Sequence, residues 1–181
     1  MNISAYNRIM ILGNNGSGKS YLAGKLAAAT GFPLIHLDAE FWRPGWVMPS
    51  EDEWREKMAR FVSGDKWIID GIVSLGSTLD MRFAAADLIV FLDVNRLACL
   101  AGIIKRQGKR RPDTAQGHEL DEKFDRRFFG FCQGIWRFPK SARRRAIMEL
   151  REKYSDKPFY IVKGRKRMNR FIDQWGKDTP V

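Results

Sequence analysis

The strongest chemical signal in the chain is Gly13-Asn14-Asn15-Gly16-Ser17-Gly18-Lys19-Ser20, which fits G-x-x-x-x-G-K-[ST] in full. The strand-like run Arg8-Ile9-Met10-Ile11-Leu12 precedes it, and a helix-like run rich in Ala and Leu, residues 19–29, follows. Glycines let backbone N–H groups converge on phosphate oxygens without side-chain clash, and the helix N-terminus adds a favourable dipole. Lys19 is placed to reach β- and γ-phosphates, and the Ser20 hydroxyl to ligate Mg²⁺. These residues predict binding of a nucleoside triphosphate, with ATP and Mg as the expected cofactors.

A Mg·nucleotide site needs a carboxylate near the metal, usually at the end of a neighbouring parallel strand. Asp38, Asp70 and Asp93 each follow a strand-like run, at 34–37, 67–69 and 88–92. Beyond Asp38 lies a dense aromatic segment, Phe41-Trp42-Arg43-Pro44-Gly45-Trp46. It suits either core packing or a stacking platform for an acceptor, with Arg43 holding an anionic group. Asp38, Trp42 and Arg43 are therefore the candidate acceptor-binding residues. Lys105, Arg106, Lys109, Arg110 and Arg111 cluster within seven residues, and Arg126 and Arg127 follow. Guanidinium groups on a segment that closes over a phosphoryl group spread its charge and exclude water. The run Arg143-Arg144-Arg145 reads as a solvated helix face or an anion patch. His36 and His118 have no neighbours that suggest metal or nucleophile chemistry, and neither is assigned a role.

The elements that must position these groups alternate between strand-like and helix-like stretches. Beyond the runs already named, Ser50 with Glu53 forms a capping box opening a helix to about residue 62. Asn95 can cap a helix to about residue 106, residues 159–162 make a fifth strand, and 166–175 a last helix. The run Leu88-Ile89-Val90-Phe91-Leu92 is continuous rather than alternating in apolar character, as in a strand buried on both faces. The β-α-β-α rhythm predicts a doubly wound α/β sheet in one domain, 1–181. Residues 107–120 lack periodicity and carry Gly108, Pro112 and Gly117, so a lid is expected at about 107–127.

The chain has 181 residues, with a net charge of +11 that is unevenly distributed. Residues 1–100 hold 10 Lys/Arg and 11 Asp/Glu, whereas 101–181 hold 22 and 10, a net of +12. Such a field attracts polyanions, either nucleotide phosphates or nucleic acid. The two cysteines, Cys99 and Cys132, form no close pair, so neither a zinc site nor a disulfide framework is expected. No signal-peptide pattern opens the chain, and no apolar run approaches the ~20 residues of a membrane helix. A cytoplasmic protein with no membrane partner is expected.

The motifs together resemble the bacterial DNA topology modulation protein family, a branch of the adenylate-kinase-like P-loop kinases. The resemblance rests on the phosphate loop at 13–20 and on His36-Leu37-Asp38 leading into Phe41-Trp42-x-Pro44-Gly45-Trp46. It rests further on Trp67-Ile68-Ile69-Asp70-Gly71, Phe91-Leu92-Asp93, Lys105-Arg106, Arg111-Pro112-Asp113 and Lys153-Tyr154-Ser155. It spans about residues 8–172. The phosphate loop is common to many families; the aromatic segment combined with Arg-Pro-Asp is far more specific.

The resemblance implies a P-loop NTPase three-layer sandwich, with a five-stranded parallel sheet ordered 2-3-1-4-5, helices on both faces and a small lid. It implies Asp70 beside Mg²⁺, Arg106 on phosphate, Arg111 with Arg126 or Arg127 in the lid, and Arg82 on the acceptor side. The chain departs from the family pattern at Ile72-Val73, where relatives carry Asn-Tyr, and at Gly102, where an arginine is usual. Gly102 cannot stack on a base, so discrimination between ATP and GTP is expected to be modest.

The expected function is γ-phosphoryl transfer from ATP to a small acceptor that could be a nucleotide. Lys19, Asp70, Arg106 and Arg111 are the expected catalytic residues, Ser20 and Asp70 the metal ligands. Two alternatives stand beside it: a nucleotide-gated nucleic-acid-binding regulator of DNA topology, and an NTPase without a dedicated acceptor. No helix-turn-helix, zinc-finger or RNA-recognition pattern supports the first alternative.

Overall fold

The run Leu88-Ile89-Val90-Phe91-Leu92 lies in a strand flanked on both sides by parallel neighbours, and each of its five side chains is buried. In the computed structural model, described residues are 5–43, 47–73, 77–106 and 126–178, with only the backbone described for Arg106, Arg126, Arg127 and 174–178. Most of the expected lid, Arg111 included, lies outside the described residues, as do Pro44, Gly45 and Trp46.

In chain order the elements are β1 (Arg8–Gly13), α1 (Lys19–Thr30), β2 (Leu34–His36), α2 (Leu37–Phe41), α3 (Glu51–Val62) and β3 (Trp67–Asp70). Then come α4 (Thr78–Ala85), β4 (Leu88–Asp93), α5 (Arg96–Arg106), α6 (Arg126–Arg137), α7 (Ala142–Lys153), β5 (Phe159–Lys163) and α8 (Gly164–Asp178). A 3-10 turn, Phe138–Lys140, joins α6 to α7. The five strands are all parallel and ordered β2-β3-β1-β4-β5, as expected.

Strand alternation divides the core into two halves. Ile9, Ile11, Ile68, Leu88, Val90 and Leu92 face one way and pack with Leu22, Leu26, Ile103, Met168 and Phe171 from α1, α5 and α8. Met10, Leu12, Ile69, Ile89 and Phe91 face the other way and pack with Trp54, Met58, Phe83 and Ile147 from α3, α4 and α7. Helices therefore cover both faces of the sheet, which is the three-layer arrangement.

Local chemistry sets the helix starts. Ser50 Oγ accepts from Glu53 N while Glu53 Oε2 accepts from Ser50 N at 2.9 Å, closing the expected capping box of α3. Asn95 Oδ1 accepts from Ala98 N at 2.8 Å and starts α5. Ser141 does the same for α7 through Arg144 N. Among the boundaries that differ from the sequence reading, β2 ends at His36, and Leu37 opens α2 rather than ending the strand. Leu37 is fully buried, its side chain serving the core from a helical turn.

Candidate functional site

Parallel strands bring all their C-terminal ends to one sheet edge, and the phosphate loop leaves β1 there. Gly16 has φ +75° and Gly18 φ +98°, left-handed conformations that favour glycine. Gly18 is the N-cap of α1, so the loop runs directly into the helix start. A Cβ on Gly16 would collide with the carbonyl of Cys99 in α5. The loop is thus pressed against a neighbouring helix as well as strained toward glycine. Gly13 sits beside Leu92 of β4, where a Cβ would stand 2.7 Å from that residue's carbonyl oxygen.

Internal bonds fix the loop. Ser17 N donates to Asn14 O at 3.2 Å, and Asn15 N to Asn14 Oδ1 at 2.9 Å. Asn14 Nδ2 donates to Ile135 O of α6 at 2.9 Å, tying the loop to the helix after the expected lid. Sequence reasoning gave Asn14 a place in the loop but not this tie, since nothing local pairs it with a residue 121 positions away. Lys19 is buried, and its Nζ donates to Asn14 O at 3.0 Å. An anionic phosphate oxygen is a stronger acceptor for an ammonium than this neutral carbonyl. Ser20 is half-buried in the first turn of α1.

The three strand-end aspartates differ in setting. Asp70 ends β3, paired in register with Ile11 of β1 and His36 of β2, so it stands beside the start of the loop. Its side chain is 5% exposed, and His36 Nδ1 is hydrogen-bonded to its Oδ2 at 3.1 Å. Among the described residues Oδ1 is buried with no hydrogen-bond partner. A buried carboxylate oxygen without a partner is costly, and a cation would satisfy it. A carboxylate oxygen of this kind suits Mg²⁺, which takes one or two oxygen ligands from protein and completes its shell from phosphate and water; the Ser20 hydroxyl, in the first turn of α1, is the other oxygen the sequence offers. Among the described residues no group of three or more His, Cys, Asp or Glu could hold a metal by itself. Asp93 is ion-paired with Arg144 of α7 at 3.0 Å, so one member of the 143–145 basic run reaches the sheet edge. Asp38 is exposed in the first turn of α2.

His36 was given no role on sequence grounds. The signal that finds it is topological: the order β2-β3 brings the last residue of β2 level with the last of β3.

The aromatic segment that begins at Phe41 divides between core and surface. Phe41 is buried, edge-on to Trp54 at 4.9 Å and to Trp42 at 5.0 Å. Trp42 is half-buried, and exposed Arg43 pairs with Glu53 Oε1 at 3.0 Å. Arg43 N donates to Val47 O at 3.0 Å, an isolated bridge between these two residues. Packing thus accounts for Phe41, while Trp42 and Arg43 stay at the surface.

Arg82 is fully buried. It donates Nε to Thr78 O at 3.1 Å, Nη1 to Gly71 O at 3.0 Å and Nη2 to Val73 O at 2.7 Å. Burial pulls its pKa down to about 9, so it stays charged at neutral pH. In this arrangement its guanidinium is spent on the segment that follows Asp70, which it holds in place. The structure places Lys19, Ser20 and Asp70 around one strand edge. It describes only the backbone of Arg106 and leaves Arg111 outside the described residues.

Among solved structures the chain is similar to a gluconokinase from Sinorhizobium meliloti, at TM-score 0.55 and 17% identity, covering 96% of this chain and 91% of that one. It is similar to a shikimate kinase from Acinetobacter baumannii, at 0.53 and 12%, covering 93% and 89%. A shikimate kinase from Bacteroides thetaiotaomicron matches at 0.50 and 15%, covering 95% and 97%. At these identities the likeness establishes the fold, that of P-loop kinases. No family model and no curated protein matches the chain, so the resemblance to the DNA topology modulation family rests on the sequence motifs alone.

Proposed function

We propose that this protein is a Mg²⁺-dependent, ATP-binding phosphotransferase that moves the γ-phosphoryl group to a small acceptor. One observation carries the reading. A complete phosphate loop opens α1 beside a strand-end aspartate whose buried Oδ1 has no partner. The kinase fold of the structural neighbours supports it.

In this reading the amides of residues 13–20 and Lys19 hold the β- and γ-phosphates. Ser20 and Asp70 hold Mg²⁺, which neutralises charge on the phosphate oxygens. Asp38, Trp42 and Arg43 bind the acceptor; Arg82 acts at one remove by fixing the segment after Asp70. Arg106 and Arg111 spread charge on the transferring group. No residue need form a covalent intermediate, because positioning and electrostatic stabilisation suffice for phosphoryl transfer.

The test is Lys19→Ala. The variant should keep the far-ultraviolet circular dichroism of the wild type. Calorimetry should show ATP binding weakened at least tenfold, since an interaction with a charged group of about 1.5–3 kcal/mol is lost. Wild-type ATP affinity in the variant sinks the assignment. Product analysis with hydroxyl and nucleotide acceptors then separates transfer from simple hydrolysis.

A further inference from the structure

Asn14, the second residue of the phosphate loop, is buried, and both ends of its carboxamide are engaged. Oδ1 accepts from Asn15 N at 2.9 Å, and Nδ2 donates to Ile135 O at 2.9 Å. Turning the carboxamide over would set donor against donor and acceptor against acceptor, so one orientation satisfies both ends. Ile135 lies in the last turn of α6, where helix carbonyls lack partners within the helix. The corner that receives Asn14 is itself held. Beyond α6 the chain turns through Phe138–Lys140 into α7, where Arg144 pairs with Asp93 at 3.0 Å. Asp93 ends β4, and Asn14 follows the end of β1, the neighbouring strand. Two side-chain contacts thus fasten the α6–α7 corner to the ends of adjacent strands.

The backbone of Asn14 meets the site's cation. Asn14 O accepts from Ser17 N at 3.2 Å and from Lys19 Nζ at 3.0 Å. An ammonium has three donors and no acceptor. Lys19 is buried, so the carbonyl that holds it sets where its charge stands. That carbonyl and the Asn15 N–H belong to one planar peptide unit. When the Asn14 side chain pins the N–H, it fixes the direction of the C=O as well.

We propose that Asn14 is a positioning residue of the phosphate site. Its carboxamide, anchored on α6, locks the peptide plane between residues 14 and 15, and the carbonyl of that plane presents Lys19 to the β- and γ-phosphates. A cation placed before the ligand arrives spares the cost of ordering it at binding. The inference rests on the nucleoside-triphosphate reading of the loop and adds a residue whose side chain acts through Lys19.

The experiment is calorimetry with ATP and with inorganic tripolyphosphate, each with Mg²⁺, on wild type, Asn14→Ala, Asn14→Ser, Lys19→Ala and the double variant Asn14→Ala/Lys19→Ala. Asn14→Ala should weaken both ligands equally, by about two- to tenfold. In the Lys19→Ala background the same change should cost less than about twofold, because residues that act through one another are not additive. A structural role independent of Lys19 would give the same loss in both backgrounds and overturn the proposal, as would unchanged binding by Asn14→Ala. Asn14→Ser can still accept from the Asn15 amide but cannot reach Ile135. It should bind as the alanine variant does, and full recovery would overturn the part assigned to α6. Wild type supplies a test that needs no variant to fold: by nuclear magnetic resonance one Asn14 carboxamide proton should exchange slowly with solvent, with and without Mg·ATP. Free exchange would overturn the proposal. Wild type that binds neither ligand ends the nucleotide reading and this inference with it, whereas equal losses in the two backgrounds end this inference alone.

Discussion

The two oxygens of Asp70 live in different chemical surroundings. Oδ2 accepts from His36 Nδ1, and Oδ1 is buried without a partner. The histidine holds the carboxylate through Oδ2, and under the proposed function Oδ1 is the atom left for a ligand. Partners that orient a metal ligand are worth about 10–100-fold in metal affinity or activity. His36→Ala should thus raise the Mg²⁺ concentration needed for half-maximal activity by about tenfold or more, with ATP affinity at saturating Mg²⁺ little changed. An unchanged Mg²⁺ requirement would show that Asp70 needs no such support. At this scale the sequence disclosed what motif and spacing encode. The phosphate loop was legible because one contiguous pattern holds all its parts; Asp70 stood beside Asp38 and Asp93 as a strand-end carboxylate, and the family resemblance alone singled it out. The contact of His36 with Asp70 was not legible, because it depends on strand order, which brings the ends of β2 and β3 level. Arg82 illustrates the converse: the family resemblance implied a place on the acceptor side, and the fold buries its guanidinium against three carbonyls.

Among the elements, α3 shows most directly how a helix start is encoded. Its capping box holds the Glu53 carboxylate near a pKa of 2, against an ordinary 4.5, through the Ser50 amide first and the Arg43 guanidinium second. A carboxylate with a depressed folded pKa adds stability that is fully present above its unfolded pKa and is lost as pH falls through the folded one. The contribution is thus constant from pH 7 to about 5 and declines between 4.5 and 2. Glu53→Gln should lower the Tm at pH 7, and its gap to wild type should narrow as the pH drops from 5 to 3. Thermal melts by circular dichroism measure this; a gap that stays constant to pH 3 would mean that the charge is irrelevant. Added salt should shrink the gap at pH 7, because both side chains are half-exposed. Elements with such local signatures were legible: α3, α5 with its Asn95 cap, and the buried β4. The short α4 was not, since eight residues give barely two turns of periodicity, and its buried face includes a charged residue, Arg82. In α6 two glycines interrupt an aromatic-rich stretch, which blurs the pattern further.

Across the whole molecule, charge and topology point at the same edge. Part of the +12 in residues 101–181 falls on described elements that reach the sheet's C-terminal side: Arg144 is ion-paired to Asp93, and Arg165 opens α8 just after β5. No helix among the described residues is long and apolar enough to cross a membrane. The positive field suits either a phosphoryl-transfer site or a nucleic acid, and Arg111 separates the two readings. If Arg111 acts on the transferring group, it does so chiefly in the transition state. Only contacts stronger there than in the ground state accelerate the chemical step. Arg111→Ala should then lower kcat on the order of a hundredfold while the calorimetric Kd for ATP changes little. If the cluster instead neutralises a polyanion, the same variant should weaken DNA binding about equally across sequences. It should also reduce the dependence of log K on log salt by about one unit, with ATP turnover untouched. We expect the first pattern, because a complete phosphate loop and a partnerless carboxylate oxygen stand at the edge toward which this charge is drawn. Tight, salt-dependent DNA binding by wild type, weakened by Arg111→Ala at constant kcat, is the result that would reverse the assignment.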